Sequence, residues 1–354
     1  MKIALVLSTN VSHSPYIYNY IKILEQEGID FEIISWNKNN KEDKISISFN
    51  KYTDRKKNRF ARIKSYYEYF KFVLNLLKQN NYDRIIFFTI PIGILLYPYL
   101  KKKFKKAYIF DIRDYSIILK FIPKLLFEPI IKNSFCTTIS SPGFLKWLPL
   151  KHNWVISHNN NFSQKASLDL IWLRKNPKHI ILTIGALRDY EANRLIIDSF
   201  KNDINFSMNF VGEDIAYLPL VNYVKTNTIR NVFFTGWYDK NDEIKYLEKV
   251  SLINIFLPDD INSRTLMSNR FYLAINNRIP VLVSTESTQA EYVKKFSLGL
   301  VVKQNDDIKS KVLSYIYNFN EEEFIKGCED FLLEINVDQN KFNLMLLDFV
   351  KYSN

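Results

Sequence analysis

HIILTIGALRDYEANRLIIDSF, residues 179–200, holds the pattern that decides the fold. His179–Ile184 is a short, nearly unbroken apolar run, which is how a parallel strand covered on both faces reads. Gly185 ends it, a short polar loop follows, and Glu191–Phe200 reads as a helix. Strand, glycine turn and helix form the repeating unit of a doubly wound α/β domain.

The same unit recurs on both sides of this stretch. Toward the C-terminus the expected strands are Ser207–Val211, Val232–Phe234, Leu252–Leu257, Val281–Ser284 and Gly299–Val302. Helices are expected near Asp242–Lys249, over Asn269–Asn276, and at Asn320–Glu334 and Lys341–Lys351. Toward the N-terminus, Lys2–Leu7 (KIALVL) reads as a strand, with a helix over Pro15–Glu27 capped by Ser14. Phe31–Trp36, Arg84–Thr89, Ala107–Asp111, Cys136–Ser140 and Trp154–Ser157 continue the strands, and residues 61–80 read as a helix. Residues 37–60 look like a polar excursion, and residues 117–131 form an apolar segment broken by Pro123 and Pro129. The polar stretch 159–178 is the best boundary in the chain.

The expected fold class is therefore α/β, with two doubly wound, Rossmann-like domains facing an interdomain cleft. The N-terminal domain would take residues 1–165 and the C-terminal domain residues 178–335. Residues 336–354 would form a C-terminal helix, its return to the N-terminal domain left open. A chain of 354 residues is long enough for two cores, and 47% apolar residues argue against disorder. Cys136 and Cys328 fit neither a metal spacing nor a disulfide framework and read as reduced core residues. The four histidines lack zinc-helix spacing.

The charge balance is basic, 49 Lys+Arg against 37 Asp+Glu, net +12. Nucleic acid, an anionic membrane surface and phosphate-bearing substrates all suit that sign. No nucleic-acid motif accompanies it, so nucleic acid is not an expected partner. KKKFKK (101–106), and the mixture of aromatics with cations over residues 53–77, suit an anionic leaflet. No run reaches the roughly 18–20 apolar residues that span a bilayer. The expected location is cytoplasmic, peripheral at the inner face of the cell membrane.

Four motifs in order resemble family 4 glycosyltransferases of the GT-B type, as found in bacterial capsule, lipopolysaccharide and exopolysaccharide biosynthesis. They are TIGALRDYEANRLIIDSF (183–200), NVFFTGWYDKNDEIKYLEKVSLINIFLPDD (231–260), NRFYLAINNRIPVLVS (269–284) and, in the first half, YIFDIRDYS (108–116). The resemblance implies a sugar transferred from a nucleotide donor, UDP-linked, to a lipid-linked surface polysaccharide intermediate. It favours a hexosyl or N-acetylhexosaminyl group, retention of configuration, and no cofactor or metal.

It also implies a donor site at Gly185, Arg188, Gly236, Trp237, Asn269 and Arg270. A diphosphate needs backbone amides and cations at a helix N-terminus, which these positions can supply. Gly185 could instead make only a tight turn with Arg188 paired to Asp189, and Asn269 could be a plain N-cap. Arg270 is more telling, because a cation at a helix N-terminus opposes the macrodipole unless something offsets it. Trp237 could stack on the base or simply pack.

In the first half, ligands of such a fold bind outside the carboxyl ends of the strands. His13, Ser14 and Tyr16 follow one strand, and Asp111, Arg113 and Asp114 another; His158 follows a third. Ser14, Tyr16, Asp111 and Arg113 are candidates for the acceptor. Asp114, His13 and His158 are candidates for catalysis, with Asp114 the best general base and Arg113 open to pairing with it. The family's paired glutamates are absent, replaced by Thr265 and Leu273. That departure sustains a second reading: a non-catalytic GT-B subunit that binds membrane or a partner transferase.

Overall fold

The computed structural model describes residues 1–38, 45–52, 59–121, 124–149, 152, 154–159 and 178–351. The chain divides into two compact units, one formed by Met1–His158 with Val337–Asn354, the other by Asn159–Asn336. Most of the polar boundary stretch, and Pro123, lie outside the described residues.

The first unit is built on seven strands, β1 (Lys2–Val6), β2 (Asp30–Asn37), β3 (Ile47–Asn50), β4 (Arg84–Phe87), β5 (Tyr108–Ile112), β6 (Cys136–Ile139) and β7 (Trp154–Ile156). They lie in the order β3-β2-β1-β4-β5-β6-β7, every pair parallel. β4, β5 and β6 are buried along their whole length, which is why they read as apolar runs without alternation. β3 lies within the stretch taken as an excursion; it is a half-buried edge strand with too few apolar residues to stand out. The helices are α1 (Ile17–Gln26), α2 (Arg59–Gln79), α3 (Ile90–Lys103) and α4 (Lys124–Asn133).

Two sequence expectations are corrected here. Ser14 does not cap α1: a 3-10 turn at Val11–His13 comes first, Tyr16 stands at the cap, and Ser14 is fully buried. Pro129 does not break its segment but sits inside α4, where its carbonyl accepts from the Asn133 side chain at 2.9 Å. KKKFKK spans the end of α3 and the turn after it, with its five lysines exposed. Phe104 is buried, and the Lys106 ammonium donates to the carbonyls of Lys132 and Ser134, both at 2.9 Å.

The second unit has six parallel strands, β8 (His179–Ile184), β9 (Phe206–Val211), β10 (Val232–Gly236), β11 (Val250–Ile255), β12 (Val281–Ser284) and β13 (Gly299–Val302). Their order is β10-β9-β8-β11-β12-β13. Its helices are α5 (Tyr190–Phe200), α6 (Tyr217–Thr226), α7 (Ile261–Thr265), α8 (Asn269–Asn276), α9 (Thr288–Phe296) and α10 (Ile308–Tyr317). One apolar cluster packs α5, α6 and α10 on one face of the sheet, and another packs α8 and α9 on the other. The helix expected near Asp242–Lys249 is a 3-10 segment, Lys240–Tyr246, capped by Asp239.

The last helix, α11 (Glu321–Lys351), is continuous where two were expected. Phe324, Cys328, Phe331 and Ile335 belong to the core of the second unit, while Phe342, Leu346 and Phe349 belong to that of the first. Both sets keep the three-to-four-residue spacing of one helical face. Cys136 and Cys328 are free and buried.

Candidate functional site

In the second unit the chain leaves β8 toward β9 and β10, then returns to place β11 on the other side of β8. Such a reversal opens a crevice at the carboxyl ends of the strands, where ligands of open α/β sheets bind. Three neighbouring strands end here in glycine with positive φ: Gly185 (95°), Gly212 (120°) and Gly236 (77°). Gly185 N donates to Val211 O and Gly212 N to Gly236 O, each at 2.8 Å, so the ladder is carried past the strands. A Cβ on Gly212 would lie 2.1 Å from the Gly185 carbonyl oxygen. Only glycine lets these turns approach so closely, and the result is an edge of bare backbone.

Arg270 stands over this edge. Ser268, rather than Asn269, caps α8, its hydroxyl accepting from Arg270 N at 3.2 Å. Asn269 is exposed in the first helical position. The Arg270 guanidinium donates to Ile184 O, and to Ala186 O at 2.8 Å. Two carbonyls of the glycine turn therefore offset the unfavourable placement of a cation at a helix N-terminus. Burial pushes the guanidinium down to about 10, with Asp189 and Tyr238 opposing the fall, so it stays charged at neutral pH.

Arg188 pairs with Asp214, in the loop after β9, at 3.0 Å rather than with Asp189, and its side chain is 56% exposed. Asp189 is pushed above its usual range by burial, against the pull of Arg270 and Arg188. Gly185, Arg188 and Arg270 are thus brought together, with Gly236 at the end of β10 in the same row. Trp237 is 70% exposed, an open ring beside that row. Gly212 and Asp214 escaped the sequence reading, although FVGED (210–214) repeats the strand-then-glycine signal of Gly185.

The two positions without glutamate have structural duties. Thr265 is buried, its hydroxyl donating to Ile261 O at 2.7 Å, and Leu273 packs against the core. Nearby, Arg264 reaches two carboxylates, Asp259 through both of its oxygens and Glu286 at 3.2 Å. Asp260 caps α7, accepting from Asn262 N at 2.8 Å and Ser263 N at 3.0 Å.

The first unit has its own reversal, between β1 and β4, but several of its candidates are sealed. Asp111 is fully buried. It accepts from Tyr20 OH at 2.5 Å and from Arg113, its ion-pair partner. Arg113 also donates to Ser157 O at 2.9 Å and Ser157 Oγ at 3.0 Å, and lies 4.3 Å from the Tyr16 ring centre. Burial is the largest influence on both Tyr20 and Arg113. It raises the phenol well above its usual range; for the guanidinium, Asp111 and Tyr20 outweigh it.

Asp111 and Arg113 therefore brace the wall of the unit and, like the fully buried Ser14, offer no surface to an acceptor, a correction to the sequence expectation. The buried partner of Arg113 is Asp111, whereas Asp114 is exposed. His158 is 1% exposed and bonded to Asp338 of α11 at 3.2 Å, so it fastens the last helix instead of facing a substrate. His13 is exposed and Tyr16 partly so.

No family model matches this sequence, and no curated protein matches it either. Solved structures do. Sucrose-phosphate synthase from Thermosynechococcus elongatus has a TM-score of 0.71 at 11% identity, covering 99% of this chain and 98% of that one. The lipopolysaccharide outer core galactosyltransferase WaaB, in its apo form, has a TM-score of 0.64 at 15% identity, with 98% and 99% covered. Anabaena Alr3699/HepE, solved with UDP-glucose, has a TM-score of 0.66 at 10% identity, with 99% of both chains covered. At such identities the likeness is one of fold. The chain has the GT-B fold of glycosyltransferases, two Rossmann-like domains, over its whole length.

Proposed function

We propose that this protein transfers a sugar, a hexose or N-acetylhexosamine, from a nucleotide donor to a lipid-linked saccharide. The observation that carries the reading is the row of three glycine-ended strands, Gly185, Gly212 and Gly236, with Arg188 and Arg270 set over it. A departing nucleoside diphosphate develops negative charge, and cations fixed over a close-packed backbone edge stabilise it. Arg270 is already held in place by Ile184 O and Ala186 O, and the exposed Arg188 can exchange Asp214 for a phosphate. Trp237 supplies an open ring for the base. UDP-glucose is the ligand of one protein of the same fold, which makes UDP sugars the first donors to try. Asp114, exposed after β5, is the carboxylate proposed to orient the acceptor.

The lipid-linked acceptor rests on α2. Phe60, Ile63 and Tyr67 are exposed along one side of it, and Lys64, Lys71 and Lys78 run beside them at seven-residue intervals. Residues 59–133 hold 15 Lys+Arg against 5 Asp+Glu, most of the net charge of the chain. Apolar side chains flanked by lysines suit an anionic leaflet. Among the described residues no helix is long and apolar enough to cross a membrane.

The test is a thermal-shift panel of UDP, GDP and TDP sugars, followed by product analysis on any donor that binds. At least one donor should stabilise the protein and be turned over, and Arg270→Ala should remove both effects. A panel with neither effect overturns the proposal. Stabilisation without turnover would instead favour the non-catalytic subunit, to which Thr265 and Leu273 in place of glutamates already point.

A further inference from the structure

The segment that carries Arg270 is framed by a helix outside the four motifs. Between α7 and α8 the chain passes through Leu266, Met267 and Ser268, with Leu266 extended. Two consecutive residues in the first turn of α9 hold this connection at both ends. Thr288 Oγ1 donates to Arg264 O at 3.3 Å, and Gln289 Oε1 accepts from Ser268 N at 3.1 Å. Both side chains are buried. Ser287, the cap of α9, accepts from Ala290 N at 3.1 Å and donates to Ser284 O at 2.8 Å, which ties the same turn to the end of β12. A line of contacts thus runs from β12 through α9 to Ser268, and from Arg270 on to the carbonyls of Ile184 and Ala186.

Packing alone does not explain a glutamine at position 289. Its Nε2 has no partner among the described residues, so the amide brings a donor into the core at a desolvation cost. A methionine of about the same length would avoid that cost. A glutamate could also hold Ser268 N, but as a charge in a fully buried place. What glutamine supplies is a neutral acceptor of the right reach.

We infer that Gln289 is the positioning residue for Arg270: through Ser268 N it sets where α8 begins, and so where the guanidinium stands over the glycine edge. Arg270 is the second residue of α8, so little chain lies between the bond and the guanidinium to absorb a shift. That Arg270 then meets a nucleoside diphosphate rests on the proposed transferase reading; its placement by Gln289 does not.

The test follows the Arg270 side chain directly. In nitrogen–proton NMR spectra of the full chain, its Nε–H, which donates to Ile184 O, is identified by its absence from Arg270→Lys. Gln289→Met should lose that signal to exchange with water and bind UDP and GDP about tenfold more weakly. Val293→Ala, a buried position of the same helix, should lower stability yet leave signal and affinity unchanged. A signal that persists in Gln289→Met overturns the inference and, with nucleotide still bound, leaves the transferase reading standing. An equal loss in Val293→Ala also overturns it, since any loosening of α9 would then suffice. Loss in Gln289→Met alone, in a protein whose wild type binds no nucleotide, keeps the positioning and removes the transferase reading. Should Gln289→Met fail to fold, Ser268→Pro removes the same bond from the donor side, at a φ of −71° that proline adopts. Ser268→Ala, which loses only the hydroxyl, is its control. A signal lost in Ser268→Pro and kept in Ser268→Ala supports the inference, and any other pair of results overturns it.

Discussion

The two sheets of this protein share an architecture and differ at their carboxyl edges. In the second unit three adjacent strands end in glycine, and the charges around them, Arg188–Asp214 and Arg264–Asp259, are exposed pairs. In the first unit none of the described strands is followed directly by glycine, and the edge is filled by Asp111, Arg113, Tyr20 and Ser157, bonded to one another and buried. Charges already in water can exchange partners for a ligand at little cost. Charges taken out of water cannot, because each depends on the other to offset its desolvation. The same fold thus offers one edge as a receptor and uses the other as a brace.

The largest expected effect tests that division directly. Asp111→Ala leaves Arg113 buried without its carboxylate and should lower stability by about 3–5 kcal/mol in urea denaturation. Asp214→Ala, in the exposed pair, should cost about 0–1 kcal/mol. Replacing both buried partners, as Asp111→Leu with Arg113→Met, should recover much of the single-mutant loss. Equal costs for Asp111→Ala and Asp214→Ala would break the comparison.

Charge also separates the two units, since the exposed lysine line runs along α2. Replacing Lys64, Lys71 and Lys78 by alanine removes three charges at about 1 kcal/mol each near an anionic surface. Co-sedimentation with phosphatidylglycerol vesicles should weaken by about 100-fold. Changing Lys225, Lys249 and Lys294 of the second unit in the same way should leave it unchanged. A comparable loss from both triplets would reduce membrane binding to net charge alone.

Backbone geometry gives the next effect. Gly212 has a φ of 120° and no room for a Cβ against Gly185, whereas Gly28 has a φ of 63° and open space around it. Gly212→Ala should cost about 2–3 kcal/mol and abolish nucleotide binding; Gly28→Ala should cost about 1 kcal/mol and leave binding intact. Thermal unfolding with and without UDP reads both.

Much of the fold was legible because buried parallel strands are apolar on both faces: β1, β4, β8 and β12 could be read from single runs of a few residues. β3 could not, since a half-buried edge strand carries too little apolar signal. Neither could the join in α11, where Val337–Lys341 (VDQNK) has only one apolar residue to mark the helix continuing. In the candidate site Gly185, Gly236 and Arg270 were readable from strand endings and a helix start. The ion-pair partners were not. Arg188 reaches Asp214 and Arg113 reaches Asp111, and both choices depend on side-chain direction. The burial of His158 depends on Asp338, 180 residues away.

The smallest effect reverses sign between the two edges, which makes it the most discriminating. Asp338 is subject to burial, which would raise its pKa, but the His158 hydrogen bond, with the charges of His158 and Lys341, outweighs it and holds the carboxyl below its usual range. Its folded value is under the roughly 3.9 of an unfolded aspartate, so its contribution is present above about pH 4 and fades as pH falls through the lower folded value. Asp189 is the opposite case. Burial holds it above the usual range despite Arg270, so the folded state bears a penalty that is absent below about pH 4 and grows as pH rises through the folded value. Asp338→Asn should therefore destabilise the protein at pH 7, and Asp189→Asn should stabilise it, each by about 1 kcal/mol or less, with both differences shrinking toward pH 3. Urea midpoints across pH 3–7 measure this. A carboxylate kept at a loss beside Arg188 and Arg270 is what an edge built for an incoming anion would show, since the charge of Asp189 balances the two cations until a phosphate arrives. If Asp189→Asn destabilises at pH 7 instead, Asp189 is an ordinary ion-pair member, and the second edge is braced like the first.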